Sequence, residues 1–208
     1  MGHRALVAYE RIDGNYNLHY SHWGGCDLRL KHTITEATPF GGECPTEHAH
    51  QAFDALVRGR DVHSVLNEYG RLGAADVDLE PRAVDVTINE VIEEWLDFLQ
   101  HEAFYVVDTD LAVTAYRTLW FGLCYESEVV QESTFIGNGA LRTVRWYQGE
   151  PVGDGYTRGE FAGVKQTVAA MVDRGVFTQA GALDYLETTV RDAICPHGEV
   201  RIARPEQG

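Results

Sequence analysis

The chain is poor in lysine. The chain has 208 residues, of which 17 are Lys or Arg, and only Lys31 and Lys165 of these are lysines. Another 32 residues are Asp or Glu, so the net charge is −15. This charge disfavours proteins that wrap nucleic acid or lie on anionic membranes, because phosphate groups would repel them. At about 1 M salt the Debye length falls to about 3 Å, so exposed carboxylates hardly repel one another. We therefore expect a protein of a high-salt cytosol.

Long apolar runs are also absent, and cysteine is sparse. No run reaches the ~20 apolar residues that a membrane span requires. The first residues lack the apolar region of a signal peptide. Four cysteines in a chain of this length do not indicate a disulfide framework. We expect a cytoplasmic protein, or one carried in a virion, with neither a membrane nor a nucleic-acid partner.

The common catalytic motifs are missing. The chain has no phosphate loop of the G-x-x-x-x-G-K-[ST] type, no G-x-G-x-x-G after a strand, no H-E-x-x-H and no G-x-S-x-G. The sequence therefore does not identify a reaction.

Hairpins and helices follow one another in blocks, without strict strand–helix alternation. This order predicts a single α+β domain over residues 1–208, with an antiparallel sheet built from hairpins and about five helices packed mainly on one face. Strands are expected at 3–12, 15–23, 28–34, 103–108, 111–121, 129–136, 140–148 and 199–203. Helices are expected from about Thr46, after Asp61, from Thr87 to Leu99, from Thr157 to Gly175, and from Thr178 to Pro196.

The opening hairpin holds the first set of candidate site residues. A two-residue turn at Asp13-Gly14 pairs Tyr9 with Leu18 and places Glu10, His19 and Ser21 on one polar face. A histidine beside a carboxylate and a hydroxyl is suited to general-base catalysis. The same residues also suit an ordinary solvated sheet face, which leaves a purely structural interpretation open.

The same polar face carries a candidate binding pair. Arg4 and Trp23 flank it, and an arginine opposite a tryptophan favours an exposed cation–π contact.

A second candidate site is the Cys44-x-x-x-His48-x-His50 set, with Cys195-x-His197 far downstream and Cys26 nearby in the sequence. Thiolate and imidazole are the ligands that zinc prefers, so zinc is the cofactor this set would take. The spacing is not that of a standard zinc finger. Residues two apart on a helix diverge around its axis, so His48 and His50 equally fit exposed residues at a helix start.

The N-terminal region resembles a known family. Its pattern, GHRALVAYE followed by YNLHYSHWGG and LRLKH, is similar to that of uncharacterised small proteins of haloarchaea and their viruses. The resemblance covers roughly the first 35 residues and implies a habitat, but no activity and no catalytic residues.

The function expected from these observations is a non-catalytic protein-binding or assembly protein of a halophilic archaeon or its virus. It would act through a protein partner or self-association, with Trp23 or Trp146 in the interface. The alternative is a hydrolase, metal-dependent if the Cys44 set holds zinc, with its site on the polar face of the hairpin.

Overall fold

The computed structural model describes residues 2–43, 46–70, 75–194 and 198–204, and the strands and helices lie within these residues. The chain is mixed α+β, and seven of its strands form a sheet in the order β3-β2-β1-β4-β5-β6-β9. The strands are β1 Arg4–Glu10, β2 Tyr16–Ser21, β3 Ala83–Val86, β4 His101–Val107, β5 Val113–Trp120, β6 Gly139–Thr143, β7 Arg145–Tyr147, β8 Glu150–Val152 and β9 Val200–Ala203. The helices are α1 Leu30–Thr33, α2 Glu47–Val57, α3 Val62–Tyr69, α4 Ile88–Glu90, α5 Asp154–Asp173 and α6 Gln179–Thr189.

The predicted α+β class is confirmed, but two details of the prediction are wrong. The described residues form six α-helices and not five, and the sheet is not built from hairpins alone, because β1 pairs with β4 in parallel. A parallel pair needs a long connection, here from residue 10 to residue 101, and such a pairing leaves no turn motif in the sequence. The helices include none long and apolar enough to cross a membrane in the described part of the chain.

The chain divides into two compact units. The first comprises residues 1–91 and 100–116, and the second comprises residues 92–99 and 117–208. The single domain over residues 1–208 stays a prediction.

The first hairpin forms as predicted, with its register shifted by one residue. Tyr9 lies opposite Asn17, not Leu18, and Val7 lies opposite His19. The loop has three residues: the Arg11 N–H donates to the Asn15 oxygen over 2.8 Å, and Gly14 takes a φ of 87°, which suits glycine. A three-residue loop of this kind replaces the two-residue turn that we expected.

Two further segments of the first unit differ in part from the prediction. The alternation at 28–34 predicts a strand, but this segment contains the short helix α1, preceded by a 3₁₀ turn at Cys26–Leu28. Alternation over so few residues does not separate strand from helix reliably. The capping box of Thr87 and Glu90 is confirmed, yet α4 ends at Glu90.

The second unit begins at Ile92, within a π-helical turn that spans Val91–Trp95. Beyond it, α6 and β9 lie where the sequence predicts them, and β9 pairs with β6 antiparallel. α5 starts three residues before the predicted Thr157, because Gly153 occupies the N-cap and the Thr157 hydroxyl donates to its oxygen over 3.0 Å. Apolar side chains of β5, α5 and α6 form the core of this unit, including Leu119, Phe161, Val168 and Leu186.

The predicted strand at 129–136 is wrong. Among the described residues there, only Ile136 makes a β-bridge, to Asp97, and β6 starts at Gly139. Residues 121–138 therefore connect β5 to β6 without regular structure, and we call them the 121–138 loop.

Candidate functional site

The one-residue shift in register separates the predicted catalytic residues. His19 lies opposite Val7 and Ser21 opposite Ala5, so both share a face with Tyr9. Glu10 lies opposite Tyr16 and points to the other face. The prediction that Glu10, His19 and Ser21 share a face is wrong, because a slip of one residue moves every side chain of a strand to the opposite face.

The face of His19 and Ser21 is buried and not solvated as predicted. Its polar side chains bond to backbone carbonyls of the segments that cover it. The Ser21 hydroxyl donates to Asp76 over 2.6 Å and the Tyr9 hydroxyl to Pro39 over 2.7 Å. The Asn17 amide donates to Leu56 over 3.1 Å. These bonds fix the covering segments to the sheet, so here the polar residues stabilise the first unit.

His19 is fully buried and electrically neutral. Its Nδ1 lies 2.8 Å from the Asp78 carbonyl, which requires the proton to be on Nδ1. Its Nε2 is buried without a hydrogen-bond partner in the described residues, and the rings of Tyr9 and Phe40 lie 5.1 and 5.9 Å away. Burial lowers the pKa of His19 to about 4, because a charged ring would lose its hydration.

The candidate binding pair, Arg4 and Trp23, makes contacts other than those predicted. The Arg4 guanidinium donates to the Gln100 amide oxygen. The imidazoles of His3 and His22 lie against the half-exposed Trp23 indole, with ring centroids 6.2 and 4.9 Å away. The predicted cation–π pair is therefore replaced by histidine–tryptophan contacts.

Of the candidate metal ligands, Cys44, Cys195 and His197 lie outside the described residues. His48 is exposed, with its ring 6.3 Å from that of Tyr69. His50 donates from Nδ1 to the Glu36 oxygen over 3.2 Å, while its Nε2 lies 3.9 Å from the Asp54 carboxylate. Within the part of the chain that the structure describes, no three His, Cys, Asp or Glu side chains form a group that could hold a metal ion.

The 121–138 loop has no regular structure, yet hydrogen bonds and buried side chains anchor it to the second unit. The Asp173 carboxylate at the end of α5 accepts hydrogen bonds from the Ser127 hydroxyl over 2.5 Å and from the backbone of Glu128 and Val129 over 3.0 and 3.2 Å. These bonds, the Ser127 hydroxyl first, lower the pKa of Asp173. The loop is also anchored by three buried apolar side chains, those of Phe121, Leu123 and Val130.

The loop nevertheless exposes apolar and aromatic side chains. Tyr125 is 69% exposed, and Val129, Phe135 and Ile136 are also exposed. The rings of Tyr125 and Phe135 each lie 5.5 Å from the buried Trp120 indole. Long loops without regular structure that stay ordered are commonly functional. An anchored loop that presents aromatic rings is typical of a contact surface.

The loop carries negative charge and borders a pocket. Its three glutamates are Glu126, Glu128 and Glu132, and no lysine or arginine occurs between residues 118 and 141. A pocket of about 300 Å³ is lined by Glu132, Ser133 and Asn138, among others. The Oδ1 atom of Asn138 is buried and has no hydrogen-bond partner in the described residues. Since Glu132 is exposed, its carboxylate can accept a hydrogen bond from a donor group in this pocket.

The ammonium of Lys165 is fixed beneath this loop. It lies 3.1 Å from the Glu126 carboxylate and 4.1 Å from the centre of the Trp120 ring. Burial lowers the pKa of Lys165, and the Glu126 carboxylate opposes that effect. Because the ammonium of Lys165 is buried, it does not neutralise the carboxylates exposed on the loop, and that surface stays acidic.

Sequence reasoning missed the 121–138 loop because it assigned residues 129–136 to a strand. The pattern contained a warning: Glu128, Gln131 and Glu132 interrupt the apolar residues without a regular alternation. A strand with one buried face would have kept that alternation.

Comparison with known proteins identifies a family and no function. The model of a family of unknown function, DUF6735, matches residues 1–201. Neither the curated proteins nor the solved structures contain a match to the chain. Because the family match covers almost the whole chain, the protein belongs to this family of unknown function.

Proposed function

We propose that the protein is a non-catalytic binding protein of a high-salt cytosol, and that it attaches to a partner protein through the 121–138 loop. The observation that carries the proposal is that this loop is anchored by Asp173 and by buried side chains, yet exposes Tyr125, Val129, Phe135 and Ile136. Exposed aromatic side chains on an ordered frame lose little conformational entropy on binding, and they are enriched among the residues that dominate interface energies.

The partner that fits this surface is a basic protein segment. The loop carries three glutamates and no basic residue, and its pocket combines the Glu132 carboxylate with the Asn138 amide. An arginine or lysine of the partner would pair with Glu132, while apolar neighbours would pack on Tyr125 and Phe135. Complementary charge favours such a partner over a second copy of this chain, since two copies each carry −15.

The hydrolase alternative gains no support from the hairpin. His19 is buried and bonded to a backbone carbonyl, and Glu10 lies on the opposite face. General-base catalysis needs the base within hydrogen-bond reach of a substrate proton.

The test begins with sedimentation velocity of the purified chain in molar KCl, which separates self-association from binding to another protein. Proteins captured from an extract of the source organism are then purified, and their affinities are measured for the wild type, Tyr125→Ser and Glu132→Gln. The matched control is Tyr147→Ser, since Tyr147 is 68% exposed and lies on β7, outside the loop.

We expect one basic partner whose affinity falls about tenfold or more in Tyr125→Ser and Glu132→Gln, and does not change in Tyr147→Ser. Equal affinities in all four proteins would contradict the proposal. A dimer that Tyr125→Ser dissociates would replace the partner protein with a second copy of the chain.

A further inference from the structure

The second unit contains a pocket of about 430 Å³ beside the start of α5, and it is lined by basic residues. Arg142 of β6 and Arg145 of β7 both line it, and so does Thr157 in the first turns of α5. Among the described residues that line this pocket, none is Asp or Glu, although the chain has 32 of them. The pocket is thus a positively charged place in a strongly acidic protein.

Arg142 is buried without a carboxylate of its own. It is only 4% exposed, and its Nη2 donates to a carboxylate oxygen of Asp154 and, over 3.4 Å, to the backbone oxygen of that residue. The other oxygen of the same carboxylate accepts from Nε of Arg117 over 2.8 Å. Arg142 therefore shares one negative charge with a second guanidinium.

One donor of Arg142 also remains unused. Its Nε is buried and has no hydrogen-bond partner in the described residues. A buried charge is costly unless it is paired and its donors are satisfied. An anion bound in the pocket would add negative charge beside a guanidinium that shares the single carboxylate of Asp154 with Arg117.

The start of α5 adds to this positive field. α5 has twenty residues, and its first backbone N–H groups have no partners within the helix. The partial positive charge at a helix N-terminus favours anions, and the Asp154 carboxylate in the first turn offsets only part of it, since that carboxylate is shared by two arginines. By itself this would not define a site, but here it lies beside a buried arginine and an open pocket.

The remaining walls determine the kind of anion. Val144, Val152 and Ile194 line the pocket with apolar surface, and the exposed Tyr156 contributes an aromatic ring. A volume of about 430 Å³ lies within the range of small-molecule sites and exceeds the need of a bare inorganic ion. We propose that this pocket binds a small organic oxyanion, a phosphate or carboxylate group on an apolar body, with its charge against Arg142 and Arg145. The proposal is independent of the 121–138 loop, which shares no residue with this pocket.

The test measures binding of four probes by isothermal titration calorimetry at constant ionic strength: phenyl phosphate, benzoate, inorganic phosphate and phenol. The proteins are the wild type, Arg145→Gln, Arg142→Gln and Arg158→Gln. Arg158 is exposed on α5 and is not among the residues that line the pocket, so its variant loses the same charge elsewhere. Arg145 is exposed as well, so its variant tests the pocket even if Arg142→Gln fails to fold.

We expect phenyl phosphate or benzoate to bind the wild type and Arg158→Gln equally, and to bind Arg145→Gln about tenfold more weakly. Inorganic phosphate should bind more weakly than phenyl phosphate, and phenol should not bind. A preference for phenyl phosphate assigns a phosphate group to the ligand, and a preference for benzoate assigns a carboxylate. The proposal is overturned if Arg145→Gln binds as well as Arg158→Gln, if phenol binds as tightly as the charged probes, or if no oxyanion binds with Kd below about 10 mM.

Discussion

The two units of this protein bury polar groups in opposite ways. In the first unit the buried polar side chains are neutral, and those of Tyr9, Asn17, His19 and Ser21 all bond to backbone carbonyls. In the second unit most of them are ionic, with Arg142 and Arg117 sharing Asp154 and Lys165 paired with Glu126, while Asn138 is buried and neutral.

The difference has a physical consequence. The buried polar side chains of the first unit carry no charge and their donors bond to carbonyls, although the Nε2 of His19 and the Oδ1 of Asn17 are buried without hydrogen-bond partners in the described residues. A buried charge that shares its counter-ion is incomplete, and its free energy depends on what else binds nearby. The proposed anion pocket lies beside such a charge in the second unit, whereas the described residues of the first unit, where the sequence predicted a catalytic site, include no buried charged side chain.

The largest effect should follow from removing the shared carboxylate of the second unit. Asp154→Asn leaves the buried guanidiniums of Arg117 and Arg142 without their common counter-ion. We expect the free energy of unfolding to fall by about 3–5 kcal/mol, because breaking a buried ion pair strands a charge. Urea denaturation in molar KCl measures the change.

The control for this variant is Asp184→Asn on α6. Asp184 is exposed and pairs with Arg204, so the same acid-to-amide change there should have a much smaller effect. If the two variants lost equal stability, the buried cluster would be no more important than a surface pair, and the contrast between the units would fail.

The second effect concerns pH and the first unit. Burial lowers the pKa of His19 to about 4, whereas an unfolded histidine titrates near 6.5. The unfolded state therefore takes up a proton first as the pH falls, so stability is complete above pH 6.5 and is lost as the pH approaches 4. We expect a loss of about 1 kcal/mol between pH 7 and 5.5, and roughly 3 kcal/mol by pH 4, from this group alone.

The variant His19→Gln isolates this contribution from those of the other histidines and carboxylates. It lowers stability at pH 7, because Gln fits the site imperfectly, but it should flatten the dependence between pH 7 and 5.5. Urea denaturation series at both pH values measure this. An unchanged slope would mean that His19 is not buried in its neutral form.

The sequence predicted local structure better than pairing. The helix starts at Thr46, Asp61 and Thr178 are confirmed, since each of these side chains accepts a backbone hydrogen bond. Such caps depend on a few adjacent residues, so a short stretch of sequence is enough to predict them. The parallel pair of β1 and β4 joins segments far apart in the chain, and the periodicity of neither strand specifies its partner.

The candidate site could be predicted only in part. A three-residue loop in place of a two-residue turn was enough to separate Glu10 from His19. The buried position of Arg117 could be predicted from the sequence, because Arg117 occupies the same alternating phase of β5 as the buried Val113, Ala115 and Leu119. A charged residue on an apolar face indicates a buried partner, but its partner Asp154 lies 37 residues away and no pattern specifies it.

A third, smaller effect tests the neutral bonds of the first unit. Ser21→Ala removes a buried hydroxyl and leaves the Asp76 carbonyl without that donor. We expect a loss of about 1–2 kcal/mol, the usual cost of an unsatisfied buried polar group. The exposed Ser64→Ala on α3 is the control and should change stability much less. Equal losses would show that water replaces the Ser21 bond, and the polar face would then not be sealed.

The smallest loss of stability is expected for a similar hydroxyl at the surface of the second unit, that of Thr178. The Thr178 side chain caps α6 by accepting from the Gly181 N–H over 3.1 Å, in an exposed position. Thr178→Ala should cost about 1 kcal/mol, the usual value of an N-cap, whereas Thr178→Ser keeps the acceptor and should cost less. Water can take over the freed Gly181 N–H, but it cannot reach the Asp76 carbonyl as easily once Ser21 is lost. Thermal or urea denaturation of Ser21→Ala, Thr178→Ala and Thr178→Ser therefore shows whether the burial of a hydroxyl or the kind of hydrogen bond it makes determines how much stability it contributes. A larger loss for Thr178→Ala than for Ser21→Ala would mean that exposure does not determine the importance of these hydroxyls.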